Sequence, residues 1–241
     1  DSSEYSDENK GNYIGALVTR IHSLTNGING QMFTSDEIES SVLFDENTII
    51  DLSRVGAQET KALIMGIVVM KLNEYRMSIS VNVMNEPLKH VTVLEEAHNL
   101  LRNSQGKMSG AESGDLAGKS VEMITNSIAE MRTYGEGFII VDQSPNAIDI
   151  SAIRNTNTKV LMRLPEDSDR QQAGRAAGLN DKQIPEMAKL PKGVAVVYQN
   201  NWLEPVLCKV KKAEVKEQPY VYSCKSLEQL TETGRMIAML L

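Results

Sequence analysis

The stretch Val91-Thr92-Val93-Leu94-Glu95-Glu96-Ala97-His98 decides how this chain reads. An apolar run ends in two adjacent carboxylates, and helix-forming residues come directly after. Side chains alternate between the two faces of a strand, so a continuous apolar run marks a parallel strand buried on both sides. The acids leave the core at its C-terminal end, where open α/β sheets bind ligands. Burying adjacent carboxylates is costly unless a cation or donors compensate, so their placement needs a reason. Two readings fit. In one, the first acid orients Mg²⁺ and its waters while the second polarises an attacking water, as nucleotide hydrolysis requires. In the other, the strand simply enters a helix whose positive N-terminal dipole favours Glu.

Outward from this stretch, strand and helix patterns alternate. Strands are predicted at Thr48–Ser53, His90–Glu95, Gly137–Asp142, Thr158–Arg163 and Gly193–Tyr198, with Pro205–Val210 closing a hairpin across a tight Asn200-Asn201 turn. Helices are predicted at Asn12–Leu24, Gln58–Arg76, Glu96–Arg102, Leu116–Tyr134, Asp167–Ala177, Asp181–Ala188 and Leu227–Leu240. Val121, Ile124, Ile128 and Met131 recur at helical spacing and define a buried stripe. Such alternation implies βαβ units and a parallel sheet covered on both faces, an α/β fold. Residues 1–11 read as a polar, flexible arm. Asn103–Gly118, with four glycines among Ser and Lys, reads as a mobile loop beside the acidic edge.

The 241 residues hold 41% hydrophobic and 24% charged side chains, the balance of an ordinary globular protein. Twelve Met residues fall mostly within apolar helical patterns and read as core filler. No apolar run reaches the roughly 18 residues a membrane span needs. No signal segment opens the chain, and two Cys, Cys208 and Cys224, are too few for a disulfide framework, which fits the cytoplasm. A net charge of −7 argues against coating nucleic acid over the whole surface, so contact with it must be local. The first residue is Asp1 rather than Met, and the expectation is a piece of something longer.

A second segment, Met131-Arg132-Thr133-Tyr134-Gly135 followed by Phe138-Ile139-Ile140-Val141-Asp142-Gln143-Ser144-Pro145, reads as a helix stopped at a left-handed Gly135, then a buried strand. Ser144-Pro145 ends that strand with a break, because the residue before Pro avoids helix. The strand delivers Gln143 to the same sheet edge as Glu95 and Glu96. A carboxamide there can align a water or sense a phosphate, or it can merely satisfy loop backbone.

With the strand Thr48-Ile49-Ile50-Asp51-Leu52-Ser53 before them and Leu190-Pro191-Lys192-Gly193-Val194-Ala195-Val196-Val197 after, these pieces resemble the HerA/FtsK-type branch of RecA-like P-loop ATPases. They are most similar to HerA-like DNA translocases and the related conjugative-transfer ATPases. Leu94-Glu95-Glu96-Ala97-His98 resembles the family's Walker B motif, and the second segment its arginine and glutamine motifs. The resemblance implies a RecA-like, mostly parallel sheet with helices on both faces and a C-terminal β-hairpin. It places the core at residues 12–215 and a helical extension at 216–241. It implies ATP and Mg²⁺ as cofactors, with Glu95 holding the metal's water shell and Glu96 as the catalytic carboxylate. Gln143 becomes the γ-phosphate sensor, and Arg132 acts on phosphoryl charge in cis or across a subunit boundary. Arg154, Arg163 and Arg175 are weaker candidates for such a finger, and Arg163 reads as structural. His98 either pairs with Glu95 or packs on its helix, and stands outside the catalytic set. A homo-oligomeric ring of hexamer type, DNA held by local pore loops through Arg102, Lys107 and Lys119, and a partner nuclease or effector come with the same resemblance. No membrane is implied.

One departure is large. No Gly-x-x-x-x-Gly-Lys-[Ser/Thr] phosphate loop occurs, because Ser113 stands where Gly118-Lys119-Ser120 would need its first Gly. That segment also comes after a polar loop rather than a buried strand, so it reads as a decoy. The expectation is that the phosphate loop lies upstream and that this chain alone is inactive. A RecA-like module that binds no nucleotide is the alternative. A small-molecule α/β enzyme would need a Gly-rich cofactor turn or a nucleophile elbow, and neither occurs.

Overall fold

His90–Glu95 forms β1 and Glu136–Val141 forms β2, paired parallel from His90↔Glu136 to Glu95↔Val141. Between them runs α3 (Ala111–Met131), so the unit is the βαβ crossover that the apolar runs predict. Because the register is even, Glu95 and Val141 finish level, and the next residues of both strands emerge at one edge. Earlier in the chain lie α1 (Ser40–Phe44) and α2 (Gln58–Ile79). After β2 come α4 (Ile150–Asn155), β3 (Thr158–Leu161), α5 (Asp167–Ala176), β4 (Val194–Gln199) and β5 (Val206–Lys209). The last three strands form an antiparallel sheet in the order β3-β4-β5. The class is α/β.

These elements belong to a computed structural model, which describes residues 38–80, 85–103 and 111–215 and scattered positions between Gly11 and Gly30. The chain divides into one unit of residues 1–38 with 215–241 and another of 39–214. In the first, Ile14, Gly15, Leu17, Val18, Thr19, Ile21 and His22 are helical, within the helix predicted at Asn12–Leu24. Residues 1–10, the helix predicted at Leu227–Leu240 and the rest of the 216–241 extension lie outside the described residues.

The core gathers one face of the parallel pair against α1, α2, α3 and α4. Leu72, Leu101 and Met131 are fully buried, with Phe44, Val69, Leu94, Ile148 and Ala152 around them. Val121 and Met131 of the predicted α3 stripe are buried, and Ile124 and Ile128 pack on the same cluster. The opposite face carries Val91, Val93, Ile139 and Val141, which stay 36–51% exposed among the described residues. A smaller cluster of Met187, Leu190 and Val196 lies under the antiparallel sheet.

At the N-terminal end of the parallel pair, Glu136 is buried and fully engaged. Its carboxylate accepts from Arg76 Nε (2.9 Å) and Thr92 Oγ1 (2.7 Å), and sits 2.8 Å from His90 Nδ1. Arg76 also reaches Asp45 at 2.8 Å and the Phe44 carbonyl, tying α2 and α1 to the strand ends. Gly135 precedes β2 with φ +83, the left-handed cap that its position predicts. A Cβ there would lie 2.5 Å from the Pro87 carbonyl oxygen.

Several expectations are corrected. Thr48–Ser53 is not a strand. Ile49 is 93% exposed, the Ser53 amide turns back to Asp51 Oδ1, and no described neighbour offers the segment a ladder. Glu96–Arg102 is not an α-helix but a single 3₁₀ turn, Ala97–Asn99, after which Arg102 bridges to Ile148. Residues 181–184 form turns, and Pro185–Lys189 is 3₁₀, since Pro185 removes the amide a helix would use. β4 and β5 are joined by residues 200–205 rather than by a two-residue turn. Ala111–Gly118, read as loop, is the first part of α3, and residues 104–110 lie outside the described residues.

Candidate active site at the C-terminal edge of the parallel strands

β1 ends at Glu95, which is exposed, and Glu96 comes next in the left-handed conformation with φ 50 and ψ 49. That conformation is uncommon for a residue with a Cβ and costs about 1–3 kcal/mol where the surroundings enforce it. Here the enforcement is visible. The Glu96 carbonyl accepts from the Asn99 amide (3.0 Å) and from Asn99 Nδ2 (2.9 Å). The backbone therefore turns sharply off β1 and aims the Glu96 side chain across the edge toward β2.

Gln143 meets it there. Its Nε2 donates to Glu96 Oε1 at 2.7 Å, joining two residues 47 positions apart in sequence. Gln143 is exposed and the Glu96 side chain is 47% exposed, so the pair faces solvent where a ligand can reach it. The Asp142 side chain, by contrast, is 4% exposed. Its Oδ2 accepts from the His98 backbone amide and lies 2.8 Å from His98 Nδ1, while Oδ1 accepts from the Ser144 amide at 2.9 Å. His98 Nδ1 also stands 3.6 Å from Glu96 Oε2. Both oxygens of the Glu96 carboxylate thus have a nitrogen nearby, one from the loop after each strand.

Glu96 and Gln143 come together as their strands predict. Glu95 is level with them at the edge, but Glu96, His98 and Asp142 form the tighter set, with ligand atoms within 4.8 Å of one another. Carboxylate oxygens at a solvent-facing edge suit Mg²⁺, which prefers hard oxygen donors and keeps several waters. Within this set His98 Nδ1 and Asp142 Oδ2 already contact each other at 2.8 Å, and the Glu96 carboxylate is the more exposed. A phosphate cradle does not accompany them. Gly118-Lys119-Ser120 lies inside α3, where its amides serve the helix rather than an anion.

Arg132 does not join this site within one chain. It is exposed in the 3₁₀ turn Arg132–Tyr134 before β2, at the opposite strand end, about 20 Å away by strand rise. Arg163 donates to the Ala188 carbonyl at 2.9 Å, and Arg175 faces Asp181 at 3.9 Å. Arg102 is exposed beside the edge, in the bridge to Ile148, and Lys119 is exposed on α3. Lys107 lies outside the described residues.

The sequence reading set His98 outside the catalytic set and gave Asp142 no role, whereas the two side chains meet at 2.8 Å. A carboxylate at the end of a buried strand requires a donor, and His98, just past the neighbouring strand end, was the available signal.

No family model matches the chain. It is similar to the DNA double-strand break repair helicase HerA of Sulfurisphaera tokodaii, 23% identical over 76% of this chain and 35% of the relative. It is likewise 27% identical to HerA of Sulfolobus acidocaldarius, over 52% of this chain and 23% of that protein. Over these spans the chain is similar to HerA. It spans about a third or less of these HerA relatives. Solved structures with some likeness include B204, the DNA-packaging ATPase of Sulfolobus turreted icosahedral virus (TM-score 0.48, 12% identity, 81% of this chain and 87% of that chain). Another is the genome-packaging NTPase B204 of virus 2 in complex with AMPPCP (TM-score 0.46, 10% identity, 72% and 77%). No helix among the described residues is long and apolar enough to cross a membrane.

Proposed function

We propose that this chain carries the water-activating part of an ATP-hydrolysing DNA motor of HerA type. The observation that carries the reading is the Glu96 carboxylate, half exposed at the sheet edge and held by Gln143 Nε2 at 2.7 Å. A carboxylate so oriented can accept hydrogen from a water lined up for attack, while the Gln143 carbonyl oxygen stays available to that water. Glu95 would hold the water shell of Mg²⁺. Bound Mg²⁺ supplies charge neutralisation on the phosphates. The phosphate loop would be supplied by residues outside this sequence, so the chain by itself would bind nucleotide weakly and not hydrolyse it.

Arg132, at the far end of β2, would serve only across a subunit boundary in a ring. Arg102, beside that edge, would contact DNA phosphate, with Lys107 and Lys119 as further candidate contacts. The setting would be the cytoplasm. The competing reading, a module without nucleotide, draws on the helical placement of Gly118-Lys119-Ser120.

One experiment separates them. In the full-length protein, Glu96→Gln should keep Mg·ATP binding and lose a hundredfold or more of turnover, in line with removal of a general base worth about 10²–10⁴. Mixing Glu96→Gln with Arg132→Ala subunits should restore part of the rate. Normal hydrolysis by Glu96→Gln would remove this carboxylate from the reaction, and absence of ATP binding by the wild type would favour the module.

A further inference from the structure

Between the two strand ends, four side chains interlock in a way the hydrolytic reading does not require. Asp142 is almost fully buried, and one of its oxygens takes both the main-chain amide and ring Nδ1 of His98 at 2.8 Å. Two bonds from one oxygen to one residue fix both the backbone turn and the ring. Rotating the imidazole would remove one of three donors from this carboxylate, leaving the His98 and Ser144 amides. The fixed ring then stands 3.6 Å from Glu96 Oε2, on the side opposite Gln143, whose Nε2 holds Oε1.

Glu96 needs such a stop. Its backbone is held left-handed, and its side chain is half exposed, so solvent alone would leave the carboxylate several rotamers. Gln143 restrains one oxygen only. The His98 ring, whose Nδ1 serves Asp142, stands against the other oxygen at 3.6 Å and limits the carboxylate's swing by contact rather than by a hydrogen bond.

We propose that His98, held by Asp142, is a positioning residue that sets the plane of the Glu96 carboxylate for water activation. It touches neither water nor phosphate. This inference rests on the assignment of Glu96 as the water-activating carboxylate. The Asp142–His98 contact couples the loop after β2 to the turn after β1, so both strand ends share one geometry.

The test measures steady-state ATP hydrolysis and nucleotide affinity in the full-length protein for Glu96→Gln, His98→Ala, His98→Asn and Asp142→Asn. His98→Ala should lower kcat roughly tenfold to a hundredfold, the cost of a small misplacement, with KM for ATP changed less than about twofold. His98→Asn places an amide nitrogen near the site of Nδ1 and should recover most of that loss. Asp142→Asn should resemble His98→Ala, and combining the two should cost no more than either alone. Unchanged kcat in His98→Ala, with Glu96→Gln inactive, overturns the positioning role and leaves the Glu96 assignment standing. Full activity of Glu96→Gln overturns both. Equal loss of kcat and ATP affinity in both His98 variants makes His98 a folding residue and also overturns the proposal.

Discussion

The two ends of one parallel strand pair treat their acids in opposite ways. At the N-terminal end Glu136 has no exposed side-chain surface and is surrounded by Arg76, His90 and Thr92. At the C-terminal end Glu96 is 47% exposed, sits in a left-handed backbone, and has one close neutral donor in Gln143. A carboxylate saturated with donors and a cation is locked and gives the fold its geometry. One left half-exposed, with spare lone pairs, can still take up a proton or a cation's water. The same residue type is locked or left open to solvent according to what surrounds it.

The sharpest way to break the structural end is to remove its cation. Arg76→Ala strips Glu136 and Asp45 of their guanidinium and leaves Glu136 charged, buried and short of a partner. It should cost about 3–5 kcal/mol, measured by urea unfolding. A loss below about 1 kcal/mol would mean that water or His90 replaces the guanidinium. Next in size is Gly135→Ala at the mouth of β2. The residue has φ +83, and the new Cβ would press on the Pro87 carbonyl oxygen, so a loss of about 1–3 kcal/mol is expected. An unchanged midpoint would show that the 85–89 segment moves aside freely.

The smallest effect concerns pH. A hydrogen bond from the Tyr75 hydroxyl, then one from Arg76, hold the Asp45 carboxyl below the usual carboxylate range. A folded pKa below the unfolded one adds stability above the unfolded value, near pH 4, that is lost as pH falls through the folded value. Asp45 is 46% exposed, so its share is about 1 kcal/mol or less. The stability gap between wild type and Asp45→Asn should therefore be present at pH 7 and narrow toward pH 3. A gap that stays constant across that range would separate Asp45 from the ion cluster.

How much of this was legible depended on where each residue's partners lie. β1 was readable residue for residue from its apolar run, although only Leu94 of it is buried and Val91 and Val93 stay exposed, and Gly135 marked the cap before β2. Gln143 was placed at the right edge by strand length alone. Thr48–Ser53 has the composition of a strand, yet pairing depends on a neighbour, and composition does not supply one. Ala111–Gly118 looked like loop because of Gly114 and Gly118, while the helix around them outweighs the roughly 1 kcal/mol that each Gly costs. The left-handed Glu96 and the Asp142–His98 contact had no local signature. The first is a backbone state that Glu rarely adopts, and the second joins residues 44 apart.

Side-by-side urea unfolding of Glu136→Gln and Glu96→Gln tests the contrast between the two ends most directly, since each removes one charge from the same strand pair. Glu136→Gln leaves Arg76 buried without its charged partner and should lose about 3 kcal/mol or more. Glu96→Gln should stay within about 0.5 kcal/mol of wild type, as a half-exposed side chain outside the core does. Equal losses at the two positions, or a larger loss at Glu96, would contradict the division of the strand pair into a locked end and an open one.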